Sequence, residues 1–254
     1  MENMATITQT NAPNRNISFR FYSGALVAAC CSSAFFALIW FQELVRFYPL
    51  NQATVALLRN QEVRTEEHQI FLLSTLSSFK NKSHPFSLAA ANDYGYLAML
   101  ASQWQNPHTL QGRLYALDAQ APLEKMVRNN PSDAFAWSRL AYVYTTLLRT
   151  EKALAAWRMS IIAAPFEPKL LLWQVGFVLP FYEKLNNTDQ AYLRQQIFNA
   201  WRFSRWQTAK ILAEFERPDL LRTKLLEGTE DAVEFEKSYR YFLSVKEEQR
   251  NDPN

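Results

Sequence analysis

Apolar and polar positions fall into three regimes along the chain. Between residues 21 and 41 there is no charged side chain, and the stretch "GALVAACCSSAFFALIW" at 24–40 is apolar apart from two serines. As a helix rising 1.5 Å per residue, the uncharged run reaches roughly 31 Å, about one bilayer core, which predicts a transmembrane helix over 21–41 behind a tail over 1–20. From 52 to 79, apolar Val55, Leu58, Val63, Ile70, Leu73 and Leu76 stand among charges at near-helical spacing. That pattern predicts an amphipathic stalk helix and linker over 42–87. The polar, proline-bearing "SSFKNKSHPFS" ends it before a helical domain over 88–254.

Within that domain the breakers mark the helices. One opens near Leu88 and stops at Asn106 and Pro107; short ones follow over 110–119 and 122–128, before the loop "RNNPSD". Further on, a helix starts near Lys169, Pro180 interrupts it, and Asn186 to Asp189 form a capped loop. A long helix over 190–215 and a terminal one over 229–246, capped by Thr229, close the chain.

The segment "DAFAWSRLAYVYTTLLRTEKALAAWRMSIIAAP", 133–165, has a stricter pattern. Trp137, Leu140, Ala141 and Tyr144 precede Ala153, Trp157, Ser160 and Pro165 at intervals that resemble one tetratricopeptide repeat, a 34-residue helical hairpin. The best repeat covers 134–167. Ala141 stands for the usual glycine, Trp157 for the aromatic and Ser160 for an alanine. Small Ala141 and Ala153 are expected where the two helices touch, with Trp137 and Tyr144 filling the space between them and proline stopping the second helix. One period earlier, Ala119, Leu123 and Pro131 fit a degenerate repeat. The resemblance implies an all-α fold, a transmembrane helix followed by a short solenoid of helical hairpins. It also implies a concave partner-binding groove lined by Phe135, Ser138, Tyr142, Thr145 and Thr146. Ser138 and Tyr142 replace the lysine and asparagine with which some members clamp a carboxylate. The expected occupant is therefore an extended or helical segment held by rings and hydroxyls.

Composition narrows the picture. Only five glycines occur and 48% of residues are hydrophobic, which argues for a folded helical chain and against an all-β one. A net charge of +3 without a lysine–arginine run excludes an obvious nucleic-acid footprint. Arg15 and Arg20 precede the apolar run while Glu43 and Arg46 cancel after it, so the positive-inside rule predicts a cytoplasmic N-terminus and an extracytoplasmic domain at the inner membrane. Gly24, Ala25, Ala28, Ala29, Ser33 and Ala37 form a small-residue face suited to packing on another membrane helix. "VAAC" resembles a lipobox ending at Cys30, yet the greasy "CSSAFFALIWF" that follows favours an uncleaved anchor.

Chemistry is sparse. Histidines 68, 84 and 108 have no metal-ligand spacing, no nucleophile motif surrounds a serine, and Asp93 and Glu124 carry no acid–base spacing. No catalytic residue, cofactor, metal or small-molecule substrate is predicted, and the chain reads as a non-enzyme. "NAWRFSRWQTAK" at 199–210 is a cationic aromatic patch or, more often for such spacing, an amphipathic helix whose rings enter the core. The expected function is a membrane-anchored scaffold or assembly factor joining envelope proteins, with a polytopic membrane machine as partner. Glycan polymerisation or export, cytochrome maturation and secretion are the contexts that the resemblance suggests. The alternative is a structural subunit docked through its membrane helix, and a third reading is a membrane-anchored enzyme.

Overall fold

The computed structural model describes residues 15–59, 65–80 and 88–251, and of residues 15–27, 40, 43, 44, 58, 59, 80 and 251 the backbone alone. Among the described residues every element is helical. In chain order they are α1 (Arg15–Arg59), α2 (Glu66–Lys80), α3 (Leu88–Trp104), α4 (Leu110–Asn129), α5 (Ala134–Thr146), α6 (Thr150–Ala163) and α7 (Pro168–Val178). A 3₁₀ turn (Leu179–Lys184) leads to α8 (Asn187–Phe203), α9 (Arg205–Glu214), α10 (Asp219–Arg222) and α11 (Glu230–Asn251). The starts of these helices follow local chemistry. Thr109, Asp133, Asn186 and Thr229 each accept a hydrogen bond from the backbone N–H three residues on, which satisfies a donor that a helix start leaves orphaned.

Two compact units divide the chain at 48/49. In the first, every residue over 28–39 of α1 is exposed, Phe35 and Phe36 each to 63%. Ser32 and Ser33 donate to the carbonyls of Ala28 and Ala29, both at 2.8 Å, so their hydroxyls are bonded within the helix. Among the described residues no helix is long and apolar enough to cross a membrane. The expected span begins in 21–27, whose side chains lie outside the described ones, and 28–39 alone is shorter than the ~20 residues a span takes.

The second unit is built of packed helix hairpins, consistent with a TPR-like helical repeat: α3 on α4, α5 on α6, and α7 on α8, with α9 and α11 paired at the C-terminal end. Its core runs along the hairpin seams. Leu97, Ala116, Ala119 and Leu123 are wholly buried in the first pair, and Ala136, Ala141, Val143, Ala153 and Trp157 in the second. The seams are close because small residues line them. A Cβ added to Gly95 would stand 2.9 Å from the Leu123 side chain.

Several boundaries differ from those the sequence pattern predicts. The stalk is two helices: α1 ends at Arg59 and α2 starts at Glu66. Moreover α2 packs on α3, with Leu72, Leu76 and Phe79 buried, and belongs to the same compact unit as the helices from 88 onward. Pro122 does not separate two short helices but lies inside α4. An interior proline costs ~3 kcal/mol, whereas burying Leu123, Met126 and Val127 returns ~1.5–3 kcal/mol each, so continuation wins. The expected helix over 190–215 is broken at Ser204, whose extended backbone ends α8 and caps the start of α9.

Glycine substitutions separate close approach from plain helix propensity. At Gly112 an added Cβ would lie 2.2 Å from the Asn106 carbonyl oxygen, and Asn106 itself sits at a φ of 63°. Gly112→Ala is expected to cost ~3 kcal/mol in urea unfolding. Gly176 in α7 meets only the Ile211 side chain at 3.9 Å, so Gly176→Ala should gain ~0.5–1 kcal/mol in the same assay.

Candidate functional site

The face of α5 and the polar contacts around it form the best-built candidate. Of the five predicted groove residues, three reach the surface: Phe135 is 37% exposed, and Tyr142 and Thr145 are half-buried. Ser138 and Thr146 are buried at 6% and 7%, and the Ser138 hydroxyl is spent on the Phe135 carbonyl at 2.9 Å. Neither offers a hydroxyl to an occupant, because α5 turns both toward its neighbours. Thr145 likewise donates to the Ala141 carbonyl, at 3.1 Å.

The repeat-defining residues hold this face in place. Leu140, Ala141, Tyr144, Ala153, Trp157 and Ser160 are buried. Trp157 spans α6 and α7: its indole N–H donates to the Gln174 carbonyl at 2.8 Å, and the Gln174 amide reaches the Ser160 hydroxyl at 3.4 Å. Trp137 is half-buried, and its indole N–H donates to the Pro131 carbonyl at 2.8 Å, which pins the α4–α5 loop. The Pro165 carbonyl, past the end of α6, accepts from Asn199 of α8 at 3.4 Å.

Two networks that sequence reasoning passed over converge near α5. In the first, Arg139 donates to Asn92 of α3 at 2.8 Å and its guanidinium lies 4.4 Å from the centre of the Tyr96 ring. Next to Asn92, Asp93 is 7% exposed and accepts from Asn51 at 3.2 Å. Asn51 belongs to the end of α1, where Leu50, Ala53, Thr54 and Leu57 are buried at the i, i+3, i+4, i+7 spacing of one helix face. Burial raises the Asp93 pKa above the usual 3.8, with Asn51, Thr54 and the Arg139 charge opposing. Burial also lowers that of Arg139. Their signal in the sequence is isolation: Asp93 is the single acid of "LAAANDYGYLAMLASQW", and Arg139 the single base of "AFAWSRLAYVYTT".

In the second network, the Tyr144 hydroxyl donates to Glu124 of α4 at 2.8 Å, Gln120 donates to the same carboxylate at 2.7 Å, and Arg149 donates to Gln120 at 2.8 Å. Burial, reinforced by that hydrogen bond, pushes the Tyr144 phenol up to about 12. Asp93 and Glu124 thus serve separate helix interfaces, and no atom is shared between them for proton transfer. A further bidentate pair, Arg158 to Asp189 at 2.6 and 2.7 Å, ties α6 to the first turn of α8.

The small-residue face of α1 is described in part. Ala28, Ala29, Ser33 and Ala37 are exposed, while the side chains of Gly24 and Ala25 lie outside the described ones. Among the described residues no three of His, Cys, Asp and Glu are grouped so as to hold a metal ion. The mixed patch at 199–210 divides: Trp201 is 1% exposed and packs edge-on against Phe235, whereas Phe203 and Trp206 stay about half exposed.

Compared with family models, with curated proteins and with solved structures, the chain matches none.

The Asp93–Arg139 network yields a pH test. A carboxyl whose pKa is higher in the folded chain binds its proton more readily there, so stability rises as pH falls from the raised value toward 3.8. Asp93→Asn removes that gain. In thermal melts the wild type should improve relative to Asp93→Asn as pH is lowered through this window. Arg139→Met, which removes the donor to Asn92 and the positive charge that faces Asp93, should cost roughly 1–3 kcal/mol at neutral pH.

Proposed function

We propose that the chain is a membrane-anchored helical scaffold of the TPR-like kind, which holds envelope proteins together through the α5 face of its hairpin domain. The observation that carries the reading is the run 28–39 in α1, apolar and exposed on every side. A helix apolar all round needs an apolar surrounding. With the uncharged 21–27 ahead of it, the run makes a bilayer span, N-terminus inside by the Arg15 and Arg20 charges. The domain beyond it supplies hairpin seams braced by buried hydrogen bonds and an outward face carrying Phe135, Tyr142 and Thr145. Rings on a rigid helix anchor a partner at low entropic cost.

A second reading makes the chain a structural subunit docked through α1. The exposed Ala28, Ala29, Ser33 and Ala37 favour it, with close packing and not a serine hydrogen bond as the attraction, since Ser33 is already bonded to Ala29.

Cys30 and Cys31 are the chain's two cysteines and both are exposed in α1, which makes them reporters. In intact membranes a charged maleimide should leave them unlabelled until detergent is added; rapid labelling without detergent would sink the anchor. Crosslinked pulldown from membranes then separates the two readings. Tyr142→Ala should reduce partner recovery roughly tenfold or more if the α5 face binds. Ala29→Leu with Ser33→Leu should do so if the partner docks through the bilayer, and unchanged recovery in both variants counts against both.

A further inference from the structure

A cavity of about 960 Å³ opens between the α10–α11 loop and α11, lined by Leu225, Glu227, Gly228, Ala232, Val233 and Phe235 and edged by Arg222, Glu236, Lys237 and Arg240. Its size lies within the range of small-molecule sites, roughly 300–1,000 Å³. The lining is backed by Phe235, which is wholly buried and whose ring meets Trp201 edge-on, 5.5 Å centre to centre. Its accessible apolar wall is half-buried Leu225 and Ala232 with Val233, which is 63% exposed and which an occupant would cover.

The charges select the occupant. Arg222 grips Glu236 with two hydrogen bonds, at 2.5 and 2.8 Å, which holds the carboxyl below its usual range and cancels both charges. Lys237 and Arg240 remain, both exposed and forming no ion pair among the described residues, against the single carboxylate of Glu227. One positive charge is left over. Val233, Lys237 and Arg240 stand at i, i+4 and i+7, on one face of α11, so the excess charge borders the apolar wall.

We propose that this cavity binds a monoanionic amphiphile: one carboxylate or phosphodiester group held by Lys237 and Arg240, with an apolar tail laid over Val233, Leu225 and Ala232. A dianion would leave charge uncompensated, a cation would meet the two bases, and a bare anion would leave Val233 uncovered. The head group could be that of an anionic lipid or of a free fatty acid.

Isothermal titration of the full chain in a neutral maltoside detergent tests this with decanoate, decylamine and inorganic phosphate as probes. Decanoate should bind, decylamine and phosphate should not. Lys237→Glu with Arg240→Glu, both at exposed positions, should weaken decanoate at least about tenfold. Val233→Ser, which leaves the charges as they are while removing the apolar wall, should weaken it by several fold, with an unchanged circular dichroism spectrum for each variant. Equal decanoate affinity in wild type and the double variant, or decylamine binding as tightly, overturns the proposal; phosphate binding as tightly overturns the amphiphile. Reconstitution into phosphatidylglycerol in place of phosphatidylcholine then tells the sources apart. Suppressed decanoate binding assigns the site to a bilayer lipid, and unsuppressed binding assigns it to the free acid.

Discussion

The close approach of paired helices at small residues is the constraint on which the second unit rests. Gly95 faces Leu123 at van der Waals contact, and wholly buried Ala141 and Ala153 occupy the α5–α6 pair. Bulk at these positions would force the helices apart by the radius of a methyl group, and the loss would spread along each seam. Large side chains then pack beside the contact, and few of them are needed. Trp157 and Trp201, both essentially inaccessible, link α6 to α7 and α8 to α11.

Tight seams leave polar groups nowhere to go except into one another. Asp93, Asn92, Asn51 and Arg139 meet where the end of α1, α3 and α5 come together. A buried charge cluster of this kind is a poor source of stability compared with apolar packing, but its geometry fixes which helix faces meet. The same holds for Arg158 with Asp189, where the carboxylate also lies in the first turn of α8 and so faces the positive end of that helix.

Legibility in the sequence followed the range of the physics involved. The α5–α6 hairpin could be read because a cap at Asp133, small residues at fixed intervals and a proline after the last turn are local signals. Thr229 and Asn186 could be read as caps for the same reason. Pro122 and Ser204 were misread because tertiary burial overrode the proline in one case and the backbone of a single residue interrupted an amphipathic pattern in the other. The outward set on α5 was only partly legible: the resemblance to the repeat places Ser138 and Thr146 on the groove side, but packing against neighbouring helices buries them. Arg139 was missed since its partners lie about 45 residues away and no spacing rule reaches that far.

The 3₁₀ turn at Leu179–Lys184, which carries Pro180, alters the arithmetic of the stack. A 3₁₀ segment rises about 2.0 Å per residue where an α-helix rises 1.5 Å, with three residues per turn in place of 3.6, so the chain leaves α7 farther along and at a different rotation than another α-helical turn would give. The turn is held by Tyr182, whose ring lies 3.7 Å from the Arg217 guanidinium, and by the Asn186 cap that follows. The α7–α8 hairpin is therefore closed through a contact with the α9–α10 connection, which ties its loop to the next part of the stack.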